Sequence, residues 1–358
     1  MNIINQYHKQ SELAQAAYAE LLPGVPSVDA LIAAEMAPAQ ARAFANLWFV
    51  EAQYNDASGA SATVFKDQDG SRYLAVRGTD SITDLVANRY ILSGWPRILN
   101  PQFNVLRSQV QQWMNNGVLP SNYTITGHSL GGYLATALSA SFGLRTEPVY
   151  LLNAPGVASV AGNVVDAFRA AIGLGNISLA DNVQNIRGTG GASLIAGLGA
   201  QLAPPQFIET EFSFNPIANH SISTLTDSLA VYALLSELSP TSKISDIAGL
   251  IKAASVRSGD TLESSVNALA SVFSIARTDP DNRDQLYNGI FEVRKAWAEM
   301  QGGLLLAPLI GISASELQRR AGMLQITRIR CRDEGTRGTV SVGYGNHRRL
   351  RRAAALIT

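Results

Sequence analysis

Cysteine is nearly missing from these 358 residues: Cys331 stands alone, which excludes a disulfide framework or a cysteine-based zinc site within one chain. Histidine is scarce as well, so any chemistry that needs an imidazole must draw on His8, His128, His220 or His347. No apolar run approaches about eighteen residues, and no membrane-spanning helix is expected. The start, Met1 to Ser11, is polar and has no hydrophobic signal-peptide core, so the expected location is the cytoplasm or export by a signal-peptide-independent route. Charged residues make up only 16% of the chain against 46% hydrophobic, enough for one large α/β domain with a helical extension. The zero net charge hides a split. Residues 319–358 hold ten Arg, no Lys and two acids, giving +8, so the rest of this balanced chain carries −8.

What the chain does contain is one stretch with a chemical signature. Tyr123-Thr124-Ile125-Thr126 is β-branched and aromatic, as a short buried strand should be, and runs into Gly127-His128-Ser129-Leu130-Gly131. Leu130, Leu134, Leu138 and Phe142 then recur every four residues, which predicts a helix with one apolar side. Strand, sharp turn and helix around G-x-S-x-G is the context of a nucleophile elbow. Glycine at 127 and 131 removes Cβ atoms that would collide at so tight a turn. The helix leaving Ser129 aims free N–H groups and a positive dipole end at the place where a tetrahedral oxyanion would form, the Leu130 amide closest.

Around this stretch the pattern predicts an α/β fold: a mostly parallel sheet, helices on both faces, and a C-terminal helical extension. Helices are expected over Glu12–Leu22, Val28–Ala37 and Pro38–Gln53, then a hairpin of Ala62–Phe65 and Tyr73–Val76 about a turn at Gly70. Arg77-Gly78-Thr79 closes the second hairpin strand. Thr79 reads equally as a second oxyanion donor and as the N-cap of a following helix. Residues 80–100 are apolar yet broken by Gly94 and Pro96, which fits a lid or a buried irregular connection. Further strands are expected at Val149–Leu152 and Val183–Arg187. The expected division is a hydrolase-like domain over 1–238, helices over 239–318 and the Arg-rich tail over 319–358.

A serine hydroxyl needs a neighbouring base. His8 lies in the polar start, His128 is locked in the elbow and His347 sits in the tail. His220, in the Pro- and Asn-containing loop before a helix, is the expected base. The orienting acid is harder to place. The loop Gly188–Ser193, where it belongs, has no carboxylate; Asp181 precedes its strand and Asp166 belongs to a helix. Glu209 is favoured over Glu211, and a Ser-His dyad with Asn153 or a backbone carbonyl orienting the ring stands as the alternative.

In Arg77-Gly78-Thr79, Gly127-His128-Ser129-Leu130-Gly131-Gly132 and Asn219-His220-Ser221 the chain resembles the class 3 lipases, most closely the lipase-like domains of bacterial haemolysin-type exoproteins. The likeness covers roughly residues 10–300 and includes a helix over Phe44–Tyr54. It implies an α/β-hydrolase fold with Ser129 as nucleophile, His220 as base, Thr79 and Leu130 as oxyanion donors and 80–100 as a lid. The implied substrate is a lipid or other ester met at a membrane or micelle surface, with no cofactor, no metal and no nucleic acid. Three features depart from the family: no Asp follows the penultimate strand, calcium-binding repeats are missing, and the tail from Arg319 is foreign. The tail reads as an out-of-frame terminus or as a basic arm. The second functional reading is a non-catalytic binding or toxin module that keeps the fold.

Overall fold

The computed structural model describes residues 2–78, 101–142, 148–156, 183–191, 193, 196, 201, 203–254, 261–276 and 282–300. Helix α1 (Ile3–Ala16) begins earlier than expected, because Ile4, Tyr7, Ser11 and Ala14 fall on one buried face at helical spacing. Helices α2 (Val28–Ala33) and α3 (Pro38–Leu47) follow.

The expected helix over 38–53 is cut short, and the likeness to a Phe44–Tyr54 helix is corrected with it. Residues Phe49–Asn55 form strand β1. At Trp48 the backbone turns extended, and its ring packs on Phe44, Phe65 and Tyr73. The chain beyond pairs antiparallel with β2 (Ser61–Lys66), from Phe49 opposite Lys66 to Asn55 opposite Ser61. Tertiary pairing thus overrides the local helical pattern.

The expected hairpin joins β2 to β3 (Arg72–Val76), with Gly70 at φ +87° in the turn. The chain resumes with α4 (Pro101–Asn115), β4 (Thr124–His128), α5 (Leu130–Phe142), β5 (Val149–Leu152), β6 (Val183–Gly188) and β7 (Pro205–Ile208). The seven strands lie in sequential order; β1 to β3 are antiparallel and β3 to β7 parallel.

Both faces of this sheet are covered, and the period of two along each strand decides which residue serves which face. Val64, Leu74, Val76 and Ile125 pack with Phe103, Leu106 and Val110 of α4 and Leu134 and Leu138 of α5. Their strand neighbours Phe65, Tyr73 and Ala75 pack on the opposite side with Leu13, Leu31 and Phe44 of α1 to α3. A mostly parallel sheet between helical layers, with a sharp turn from the central strand β4 into α5, is an α/β-hydrolase-like fold.

After β7 come the short α6 (Pro216–His220), then α7 (Ile222–Leu238), α8 (Ile244–Ala254), α9 (Thr261–Val272) and α10 (Arg283–Met300). The chain clusters into two compact units, Ile3–Ala230 and one starting at Val231. Within the second unit, α9 packs on α8 and α10, and Arg294 makes a paired, two-point ion pair with Glu237 at 2.7 and 3.0 Å. Among the described residues no helix is long and apolar enough to cross a membrane.

Candidate active site

Ser129 stands between the end of β4 and the start of α5 at φ +57°, a left-handed conformation that costs a non-glycine residue about 1–2 kcal/mol. The surroundings impose it. The Ser129 amide donates to the Leu152 carbonyl at 3.0 Å, and its own carbonyl accepts from the Gly132 amide at 3.0 Å. A Cβ on Gly127 would overlap the Gly131 carbonyl, and one on Gly131 would overlap the Val76 carbonyl at the end of β3. The glycine spacing read from the sequence therefore has two distinct causes. Gly127 lets the strand and the turn close on each other; Gly131 lets α5 start against the neighbouring strand.

His220, at the end of α6, comes to Ser129 across 91 positions, with its Nε2 at 2.9 Å from the Ser129 Oγ. The His220 ring is 3% exposed, and burial pulls it down to about 4, so it is neutral at physiological pH. A neutral ring can accept the serine proton at Nε2 only if its own proton is on Nδ1. That atom lies 3.0 Å from the Ser193 Oγ, which is placed to accept it.

Ser193 occupies the position where a carboxylate was expected. Glu209 is not at the imidazole: its carboxylate accepts from the Thr189 hydroxyl at 3.0 Å, at the exposed end of the β6–β7 pair. Glu209 follows the last residue of β7, the buried Ile208, while the Gly190 amide donates to the Thr210 hydroxyl at 2.8 Å. Asn153 holds the main chain of His220: its Nδ2 donates to the His220 carbonyl at 3.4 Å, while its Oδ1 accepts from the Gly188 amide at 2.9 Å. The loop named in the sequence as the acid's proper place thus does hold the imidazole's partner, as a hydroxyl.

Leu130 is the first residue of α5 and is buried, so its amide belongs to the first turn, whose donors lack intrahelical acceptors. Thr79, the proposed lid 80–100, Asp166, Asp181 and the tail 319–358 lie outside the described residues. Gly78, just before Thr79, is described: a Cβ there would stand 3.2 Å from the Ser129 Cβ, so the end of β3 abuts the serine. Among the described residues no cluster of His, Cys, Asp and Glu could hold a metal.

Two consequences follow for pH. A base must be neutral to act, and with its folded value near 4 the acid limb of kcat/KM is expected near pH 4 rather than near the ordinary imidazole value of about 6.5. Ser193→Asp would set an anion beside Nδ1, favour the protonated ring and move that limb up by about one to three pH units. A pH–rate profile of the two proteins checks both; coincident acid limbs would remove Ser193 from the site.

No family model matches the chain, and no curated protein matches it. Solved structures do. A fungal lipase is 16% identical over 62% of this chain and 84% of its own, with a TM-score of 0.41. A mutant form of MDLA from Penicillium cyclopium is 15% identical over 59% of this chain and 83% of its own, with a TM-score of 0.39. At such similarity nothing about substrate passes from those enzymes to this chain.

Proposed function

We propose that the protein is a serine hydrolase that cleaves carboxylic ester bonds of lipids through an acyl-enzyme on Ser129. The observation that carries this reading is the 2.9 Å approach of the Ser129 Oγ to the Nε2 of a neutral, buried His220. Ser129 attacks the acyl carbonyl as its proton passes to Nε2. The Nδ1 proton, held by Ser193, keeps the ring in the tautomer that can accept it. The Leu130 amide, with Thr79, stabilises the oxyanion. The alcohol leaves with the proton from His220, and water then attacks the acyl-enzyme by the same steps in reverse roles. None of these steps calls for a metal or an organic cofactor.

The lipid part of the reading rests on the resemblance to class 3 lipases and on the surface beside the base. Phe212 and Phe214 stack edge to face at 4.8 Å on the loop leading to His220. Phe214 is 94% exposed, and Ile217 is exposed beside the loop. Apolar side chains exposed together a few positions before His220 suit a lipid surface. A triacylglycerol and the acyl ester of a phospholipid both fit this chemistry.

A panel of nitrophenyl esters, acylglycerols and phospholipids, assayed below and above micelle formation, tests the proposal. Turnover of carboxylic esters is expected, faster on aggregated substrate. Phe214→Asp is expected to lower the rate on micelles about tenfold while leaving the monomeric ester untouched, because only the aggregated substrate presents a surface to the exposed Phe214. The second reading, a binding module that keeps the hydrolase fold, is favoured by the neutral Ser193 where a carboxylate would stabilise the imidazolium. Lipid binding with no turnover of any ester in the panel would establish it instead.

A further inference from the structure

The ring of His220 is held by two hydroxyls, and its backbone is held as well. The Nε2 of His128 lies 2.8 Å from the His220 carbonyl oxygen, and the Tyr18 hydroxyl lies 2.9 Å from the Nδ1 of His128. These contacts fix the proton positions. A carbonyl oxygen can only accept, so the His128 Nε2 carries a hydrogen; Nδ1 is then a lone pair, and the Tyr18 hydroxyl donates to it. The His128 ring is buried at 5% exposure and tilted against the His220 ring at 5.0 Å between centroids, a setting in which a charge would be unpaired. Tyr18 reaches this spot from the turn after α1. Its hydroxyl fills the space a Cβ on Gly78 would need, at 2.6 Å.

We propose that Tyr18 and His128 are positioning residues: a two-link strut that sets the place of the base relative to the nucleophile. The proposal rests on the reading of Ser129 and His220 as nucleophile and base. His128 is the residue before Ser129, so the elbow that fixes the serine also carries the donor that fixes the His220 main chain. Movement of the elbow then shifts both reacting groups together and keeps their separation. Tyr18 selects the tautomer. Without its proton on Nδ1, the His128 hydrogen is free to move there, and Nε2 then presents a lone pair to the carbonyl and pushes the base away. Asn153, at 3.4 Å from the same oxygen, is the weaker of the two donors.

The test combines kinetics on a soluble nitrophenyl ester with nitrogen-15 NMR of the histidine rings. Tyr18→Phe is expected to lower kcat by about tenfold to a hundredfold, as small misplacements of reacting groups do, with KM within about twofold. His128→Gln, whose amide nitrogen falls where Nε2 stands, is expected to recover most of the loss seen in the one-bond-shorter His128→Asn. In the wild type the His128 ring should appear as the neutral Nε2–H tautomer, and Tyr18→Phe should mix the tautomers. A wild-type kcat in Tyr18→Phe, equal losses in His128→Gln and His128→Asn, or an Nδ1–H tautomer at His128 would each overturn the strut. The NMR result decides even for a protein with no esterase activity, so failure of the strut and failure of the hydrolase reading are separate outcomes.

Discussion

Ser129→Ala is expected to lower kcat on any ester the protein turns over by about ten-thousandfold or more, with no loss of thermal stability. The stability half of this expectation comes from the backbone. Alanine keeps the Cβ, so the strain at φ +57° is unchanged, and what disappears is one hydroxyl bonded to His220 in a buried site. The kinetic half comes from the chemistry. Without the Oγ no acyl-enzyme forms, and His220 has no proton to accept. His220→Ala should fall to a similar floor, and the double variant should fall no further, because two groups that act in one step lose their effect together. An additive double variant would mean that the two side chains serve different steps.

The second large effect concerns the turn itself. Gly131→Ala places a Cβ into the Val76 carbonyl, 2.7 Å from the Arg77 carbonyl carbon and 2.8 Å from the Gly78 amide nitrogen. All three neighbours are backbone atoms of the β3 end, with no flexible side chain to give way. Either α5 or the β3 end must move, at a cost of about 3 kcal/mol or more. For a chain of this size that corresponds to a fall in Tm of about 4 °C or more. Gly249→Ala is the control: Gly249 lies within α8 with nothing within 4 Å of its Cβ position, so the substitution should raise stability by about 0.5–1 kcal/mol. Thermal unfolding of the two variants beside the wild type checks the contrast; equal Tm shifts would mean that the elbow is looser than its geometry implies.

These two residues were also the most legible in the sequence, and for one reason. The elbow is local: Gly127, Ser129, Leu130 and Gly131 lie within five positions, and the strand before and the helix after carry their own periodicities. The sheet was legible where strands are short apolar runs between breakers. It was misread at Phe49–Asn55, where nothing in the chain before or after says that β2 will pair alongside. His220 could be reached by elimination among four histidines, since only it lay in a suitable loop. Its orienting partner could not. A search for a carboxylate led to Glu209, which the structure puts on Thr189, whereas the partner is Ser193. The 188–193 loop holds no carboxylate, and a neutral hydroxyl gives no charge signal. Tyr18 had no signal at all. The role proposed for it follows only from a contact across 110 positions with His128.

The measurement that bears most directly on the whole account is covalent labelling by a serine-reactive phosphonate ester, followed by mass spectrometry of the digested protein. The expected result is one equivalent of label on the peptide carrying Ser129, none in Ser129→Ala, and labelling slowed by about a thousandfold or more in His220→Ala, since the base must take the proton as the bond to phosphorus forms. Label on another residue, no label on the folded wild type, or an unchanged rate in His220→Ala would contradict it.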